Sequence, residues 1–232
     1  MSIADKLTTI AENVPRVYEA GAVSIWAGIQ DCGKRTDYAY AFCRNTLTTF
    51  NPPYGFDDIT NVQYMFLQAS ELADLSHITI NIISKNPNLM YMCCNCYKLK
   101  KPPVITFTAP VVKTYTAMYA NCINLEEANI YFGDGSQNPI SIRNSMQNTF
   151  FKCENLENIT FSGKGSPLYL DLSYCKALTY ESLLSLKGAL MDVSAAQAGI
   201  YSIKVSEESY SLLTETDITD FETLGWTIST ED

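Results

Sequence analysis

Apolar residues recur along this chain in a fixed frame. Four cysteines each stand three residues before a leucine, as Cys96/Leu99, Cys122/Leu125, Cys153/Leu156 and Cys175/Leu178, and Ala69/Leu72 fills the same slots earlier. A Met, Thr or aromatic precedes at constant distance, in Met65-Phe66, Met92, Met118-Tyr119 and Thr149-Phe150, so the unit reads M-[F/Y]-x-x-[C/A]-x-x-L. A degraded copy, Tyr40 to Leu47 with Phe42 and Cys43, comes first. The leucines at 47, 72, 99, 125, 156 and 178 are separated by 25, 27, 26, 31 and 22 residues. Three residues past a leucine stand Phe50, Leu75, Ala128 and Ile159, with Pro102 the exception, and two further on come His77, Val104, Ile130 and Phe161. Alternation with period two predicts a short half-buried strand in each unit. One unit cannot bury its apolar side alone, whereas stacked units share a core that small Cys or Ala residues allow to close up. The expected fold is an α+β repeat: a short solenoid of leucine-rich-repeat type over residues 22–178.

The alternation also names a surface. With Ala128 and Ile130 inward, Asn129 and Tyr131 point outward; Thr160 and Ser162 do so beside Ile159 and Phe161, and Ser76 and Ile78 beside Leu75. These six are the expected binding residues, with Tyr131 the anchor because its ring gives rigid contact area. Two Gly-rich stretches interrupt the frame. Asp134-Gly135, within Gly133 to Pro139, predicts a hairpin continued by Ile140-Ser141-Ile142. Gly163-Lys164-Gly165-Ser166-Pro167 predicts a second loop.

The ends follow other patterns. Residues 179–232 read as an α/β cap. Thr179 opens a helix carrying Leu183, Leu186 and Leu190, and residues 200–205 form a strand. Thr214 and Asp217 have capping-box spacing before Ile218, Phe221 and Leu224, and Gly225 stops that helix ahead of a strand from Trp226 to Ile228. Residues 1–21 predict a helix whose Ile3, Leu7, Ile10, Val14 and Val17 are spaced as a heptad seam, suited to oligomerisation or attachment. Pro15 works against helix at Val14.

A net charge of −9 opposes binding to phosphate backbones and anionic membranes, so no nucleic-acid partner is expected. No apolar run is long enough for membrane insertion. Met1 to Gly21 lacks an apolar core and holds Asp5 and Glu12, so no signal peptide is expected and the eight cysteines are read as thiols.

Candidate chemistry is sparse. The single histidine, His77, reads as a strand residue with a hydrogen-bond partner, without the nucleophile and acid of a triad. Cys93-Cys94-Asn95-Cys96 contains a Cys-x-x-Cys, yet zinc needs further ligands and the repeat already explains Cys96. Asp134-x-Ser136-x-Asn138 lacks the distal acid of a calcium loop. Asp57-Asp58 and Glu126-Glu127 are sequence neighbours that a strand sends to opposite faces, so they make no acid/base pair. The expectation is no enzyme, no cofactor and no metal.

The Cys-x-x-Leu repeat over residues 38–180 resembles the bacterial surface-antigen type of leucine-rich repeat. Met1 to Gly21 is similar to the N-terminal segment of tail-associated proteins in phages and prophages of Gram-positive bacteria. Trp26 to Phe42, with Gln30, Gly33 and Arg35-Thr36-Asp37-Tyr38, and the closing Leu213-Thr214 to Gly225-Trp226-Thr227, are similar to segments of the same proteins. The chain departs from them by being short between Gly21 and Trp26. The resemblance implies a virion tail protein made in the bacterial cytoplasm. It implies a homo-oligomer, with a trimer favoured, and other tail proteins as partners. The implied target is a protein or glycan of the host cell surface. The alternative is a bacterial adhesion or protein-interaction module. An enzyme acting on polysaccharide would need two converging acids, for which there is no motif.

Overall fold

The computed structural model describes residues 36–52, 55–85, 87–108, 112–136, 146–197 and 199–230. The seam Ile3, Leu7, Ile10, Val14 and Val17 lies outside them, as does the second arm of the expected hairpin, Ile140 to Ile142. The chain is α+β with parallel sheets. In order come β1 (Phe56–Ile59), β2 (Thr79–Ile82), β3 (Val104–Phe107), β4 (Glu127–Asp134), β5 (Asn158–Lys164), β6 (Tyr169–Leu172), α1 (Tyr180–Ala189), β7 (Ser202–Val205), α2 (Glu207–Tyr210), α3 (Glu215–Thr223) and β8 (Thr227–Ser229). Among the described residues these make three parallel sheets, β1-β2-β3, β4-β5 and β6-β7-β8.

Opposite the strands, five copies of the repeat stack on one another. Each is a run of tight turns: Met65 N–H donates to the Val62 carbonyl and Leu67 N–H to that of Tyr64, while alternate amides reach the next copy, as Phe66 to Met92 (2.7 Å), Cys93 to Met118 (2.9 Å) and Tyr119 to Thr149 (3.0 Å). The geometry demands two left-handed residues per copy, in the pairs Tyr40/Arg44, Tyr64/Gln68, Tyr91/Asn95, Ala117/Asn121 and Asn148/Lys152, with φ between 50° and 61°. Non-glycine residues adopt this conformation at a cost, which the repeated inter-copy bonds offset. Copies also open alike. Asp37, Asn61 and Asn88 each accept the amide two residues on through a side-chain oxygen, and Thr114 does so through its hydroxyl. Such turns favour Asp, Asn and Thr.

The cysteine slot has a bonding reason as well as a size reason. Cys96, Cys122 and Cys153 donate their thiols to the carbonyls of Phe66, Cys93 and Tyr119 in the preceding copy at 3.0–3.1 Å, and Cys175 approaches Phe150 at 4.0 Å. Each carbonyl already accepts an amide of its own turn, so the thiol occupies its second lone pair. All four cysteines are buried and free. Burial pushes the Cys122, Cys153 and Cys175 thiols well above their ordinary value, so they stay protonated at neutral pH. Native thiol labelling is expected to be slow at these four and fast after unfolding. Rapid native labelling at any of them would contradict the stacking.

The other cysteines fall in neighbouring slots. Cys93 shares the position of Phe66, Tyr119 and Phe150 in the main core, whereas Cys94 joins Leu67, Ala117 and Ala120 in a smaller apolar cluster with half-buried Cys43 against it. The first copy departs from the expected frame. Asn45, not Cys43, occupies the slot of Ala69 and Cys96; its side chain bonds the Phe42 carbonyl and Leu47 N–H, which turns the chain early and leaves Leu47 half-buried. Leu72, Leu99, Leu125 and Leu156 are fully buried in the shared core.

The helix-end signals of residues 179–232 are met. Thr179 caps α1, Thr214 and Asp217 form the reciprocal box of α3, and Gly225 (φ 86°) ends that helix. Asp217 also binds Lys187 at 2.9 Å, and the Thr214 hydroxyl and Lys187 hold its carboxyl well below the usual carboxylate range. The sequence reading lacks two features, the short helix α2 and the pairing of β6 with β7. One continuous buried cluster runs from Tyr38 to Ile228.

One loop expectation is corrected. β4 runs through Asp134 and pairs with parallel β5, where Asp134 lies opposite Lys164, while the far arm of the expected Asp134-Gly135 hairpin lies outside the described residues. Asp134 makes an Asx turn that accepts Ser136 N–H at 2.8 Å. Gly163 and Lys164 belong to β5, and Gly165 bridges to Leu190. Gly163 is needed there, because a Cβ would stand 2.0 Å from the Gly133 carbonyl oxygen.

Candidate functional site

The outward face of the strands is the candidate site. Strand alternation builds it. β2 buries Ile80 and Ile82 and turns Thr79 and Asn81 outward; β4 buries Ala128, Ile130 and Phe132 beneath Asn129 and Tyr131; β5 buries Ile159 and Phe161 beneath Thr160 and Ser162. Parallel register aligns Asn129 with Thr160 and Tyr131 with Ser162. These four expected binding residues are therefore brought together.

Ser76 and Ile78 are not part of the row. Asp74 accepts both the amide and the hydroxyl of Ser76, and Ile78 N–H closes a turn onto the Leu75 carbonyl, so the strand begins later than the leucine spacing suggests. Ile78 is buried rather than outward. His77 likewise sits in this exposed turn, not in a strand, with Nε2 2.8 Å from the Phe50 carbonyl oxygen. Thr79 and Asn81 take the places assigned to Ser76 and Ile78. Their signal was readable: Asn81 and Thr106 lie 25 residues apart, flanked by Ile80/Ile82 and Ile105/Phe107.

A hydrogen-bonded chain ties the row together at one end. Asn81 donates its amide to Asp57 and accepts the Thr106 hydroxyl. At the other end the row is split by a buried phenol. The Tyr115 hydroxyl donates to the Tyr131 carbonyl (2.8 Å) and accepts Tyr131 N–H (3.1 Å), bonds that a neighbouring strand would otherwise supply. β3 and β4 accordingly belong to separate sheets, and a recess lined by Ile105, Thr106, Phe107, Tyr131 and Ser162 opens between them.

Tyr131 is only partly an exposed anchor. Its ring stacks on Phe107 with centroids 5.6 Å apart, and its Cε2 would lie 2.8 Å from a Cβ on Gly163. Burial, then the Asp134 carboxylate, raises the phenol above its ordinary value, so it is a neutral donor. Tyr131→Ala therefore removes a packed ring along with a surface group, and a stability loss of about 1 kcal/mol from the lost stack is expected.

Beyond β5 the face is closed by a helix. Ser182 Oγ accepts Ile159 N–H and donates to the Glu157 carbonyl, while Ser185 Oγ accepts Phe161 N–H and donates to the Ile159 carbonyl. Two serines at i and i+3 thus satisfy the strand edge that would otherwise attract another chain.

Among the described residues no group of three or more His, Cys, Asp or Glu side chains gathers as a metal site, and no helix is long and apolar enough to cross a membrane. Comparison with family models, curated proteins and solved structures finds no match to this chain.

Proposed function

We propose that the chain is a non-enzymatic structural and binding component of a phage tail or related particle, in which the stacked repeats form a short leucine-rich-repeat-type solenoid that presents its strand face to a cell surface. The observation that carries this reading is the pair of outward rows, Asn81 beside Thr106 and Asn129 and Tyr131 beside Thr160 and Ser162, set on a backbone whose bonds and core are used between copies. A rigid, repeated, hydroxyl- and amide-rich face is suited to non-covalent recognition. Several copies held in one particle would gain avidity from weak individual contacts. The first 21 residues supply the attachment or oligomerisation element in this reading, with other tail proteins and further copies of the chain as partners.

Imaging purified particles with a gold label directed at this chain tests the proposal. Label at the tail is expected, together with oligomers of the isolated chain that deletion of residues 1–20 converts to folded monomers. Particles without label, and a chain displayed on the bacterial surface instead, would favour a free adhesion module.

A further inference from the structure

Two recesses open on the outward face, and the Asp57–Asn81–Thr106 chain of hydrogen bonds joins them. The first, of about 350 Å³, is bordered by Asp57, His77, Thr79 and Asn81. The second, of about 200 Å³, is the cleft held open by the Tyr115 phenol. We propose that this face binds a neutral, linear oligosaccharide laid across the strands, with one sugar ring seated in the second recess.

The lining chemistry selects this ligand class. The second recess combines hydrocarbon from Ile105, Phe107 and the Tyr131 ring with hydroxyls from Thr106, Ser162 and Tyr131, and no charged side chain among the described residues borders it. A pyranose presents the matching alternation of C–H surface and hydroxyl groups. Among the described residues neither recess is bordered by Lys or Arg, and the Asp57 carboxylate in the first would repel an anionic polymer. The second recess is smaller than the roughly 300–1,000 Å³ typical of pockets for drug-sized ligands, which suits one ring of a longer chain. Within each sheet the outward groups on paired strands repeat at about 4.8 Å, close to the length of one sugar unit, and the wider gap between β3 and β4 is where the seated ring lies. The Tyr115 bonds fix the cleft before binding, which lowers the ordering cost of a weak ligand.

The inference deepens the recognition function proposed above and depends on it only for the source of the glycan. The test titrates the intact chain, methyl-labelled at threonine, with chitotetraose, cellotetraose and maltotetraose. Saturable shifts of the Thr106 and Thr160 methyls are expected with at least one of them, while Thr219 in α3 stays fixed. Thr106→Val and Ser162→Ala, both at exposed positions, should each weaken binding about tenfold through a lost hydrogen bond. No saturable shift with any of the three sugars overturns the proposal, as does binding unchanged in the double variant. Because the isolated chain is titrated, that outcome leaves the particle assignment standing, and particles without label would leave a positive titration standing.

Discussion

Replacing Tyr115 by Phe is expected to destabilise the protein by roughly 1–3 kcal/mol, because it removes two hydrogen bonds to a partly buried strand edge at about 0.5–1.5 kcal/mol each. The ring itself would stay, so the loss reports the hydroxyl alone. That hydroxyl, on a buried ring, bonds both the amide and the carbonyl of Tyr131 at a partly buried strand edge. Denaturant unfolding should show a lower midpoint with an unchanged slope. The recess between β3 and β4 should also lose definition, with the Tyr131 ring less firmly held against Phe107. A variant as stable as the parent would mean that β4 does not need the phenol, and the split between the first two sheets would require another cause.

The second large effect is expected at the cysteine column. Cys122 is fully buried, its thiol bonds the Cys93 carbonyl, and the same slot in the flanking copies holds Cys96 and Cys153. Copies stacked at hydrogen-bonding distance leave no room for a branched side chain, so Cys122→Leu should cost about 3 kcal/mol through overpacking. Cys122→Ala should cost less, about 1–2 kcal/mol for the lost thiol bond and the small void. Ala69 shows that the slot accepts alanine. Equal losses for the two variants, measured by the same unfolding experiment, would show that close approach of the copies is not what restricts this position.

Much of the architecture was legible because it rests on repetition. The Cys-x-x-Leu frame located the buried column, and the capping signals at Thr179, Thr214 and Gly225 located the cap, since those signals are local and chemical. The alternation in β4 and β5 placed Asn129, Tyr131, Thr160 and Ser162 outward. The failures share a physical origin in connections whose length varies between copies. Counting from Leu72 put Ser76 and Ile78 on a strand because the turn at Asp74 was not recognised. Counting from Leu47 shifted the first copy because Asn45 fills the cysteine slot with an amide that serves as a turn former. Gly163 and Lys164 carry the composition of a loop, but they continue β5, where Lys164 lies opposite Asp134 of the preceding repeat. The bond from Tyr115 to Tyr131 and the edge closed by Ser182 and Ser185 were not readable, because neither side chain breaks the apolar or polar pattern of its own segment. They act on partners 16 or more residues away in the chain.

The central claim is that the outward strand face is the recognition surface. Binding of the purified chain to host cells, compared with that of a triple variant carrying Asn129→Ala, Thr160→Ala and Ser162→Ala, tests it most directly. Each of the three side chains is exposed, so the variant should keep its stability to within roughly 0.5 kcal/mol per site. The account predicts saturable binding by the intact chain and its loss in the equally stable variant; undiminished binding by the variant would contradict it.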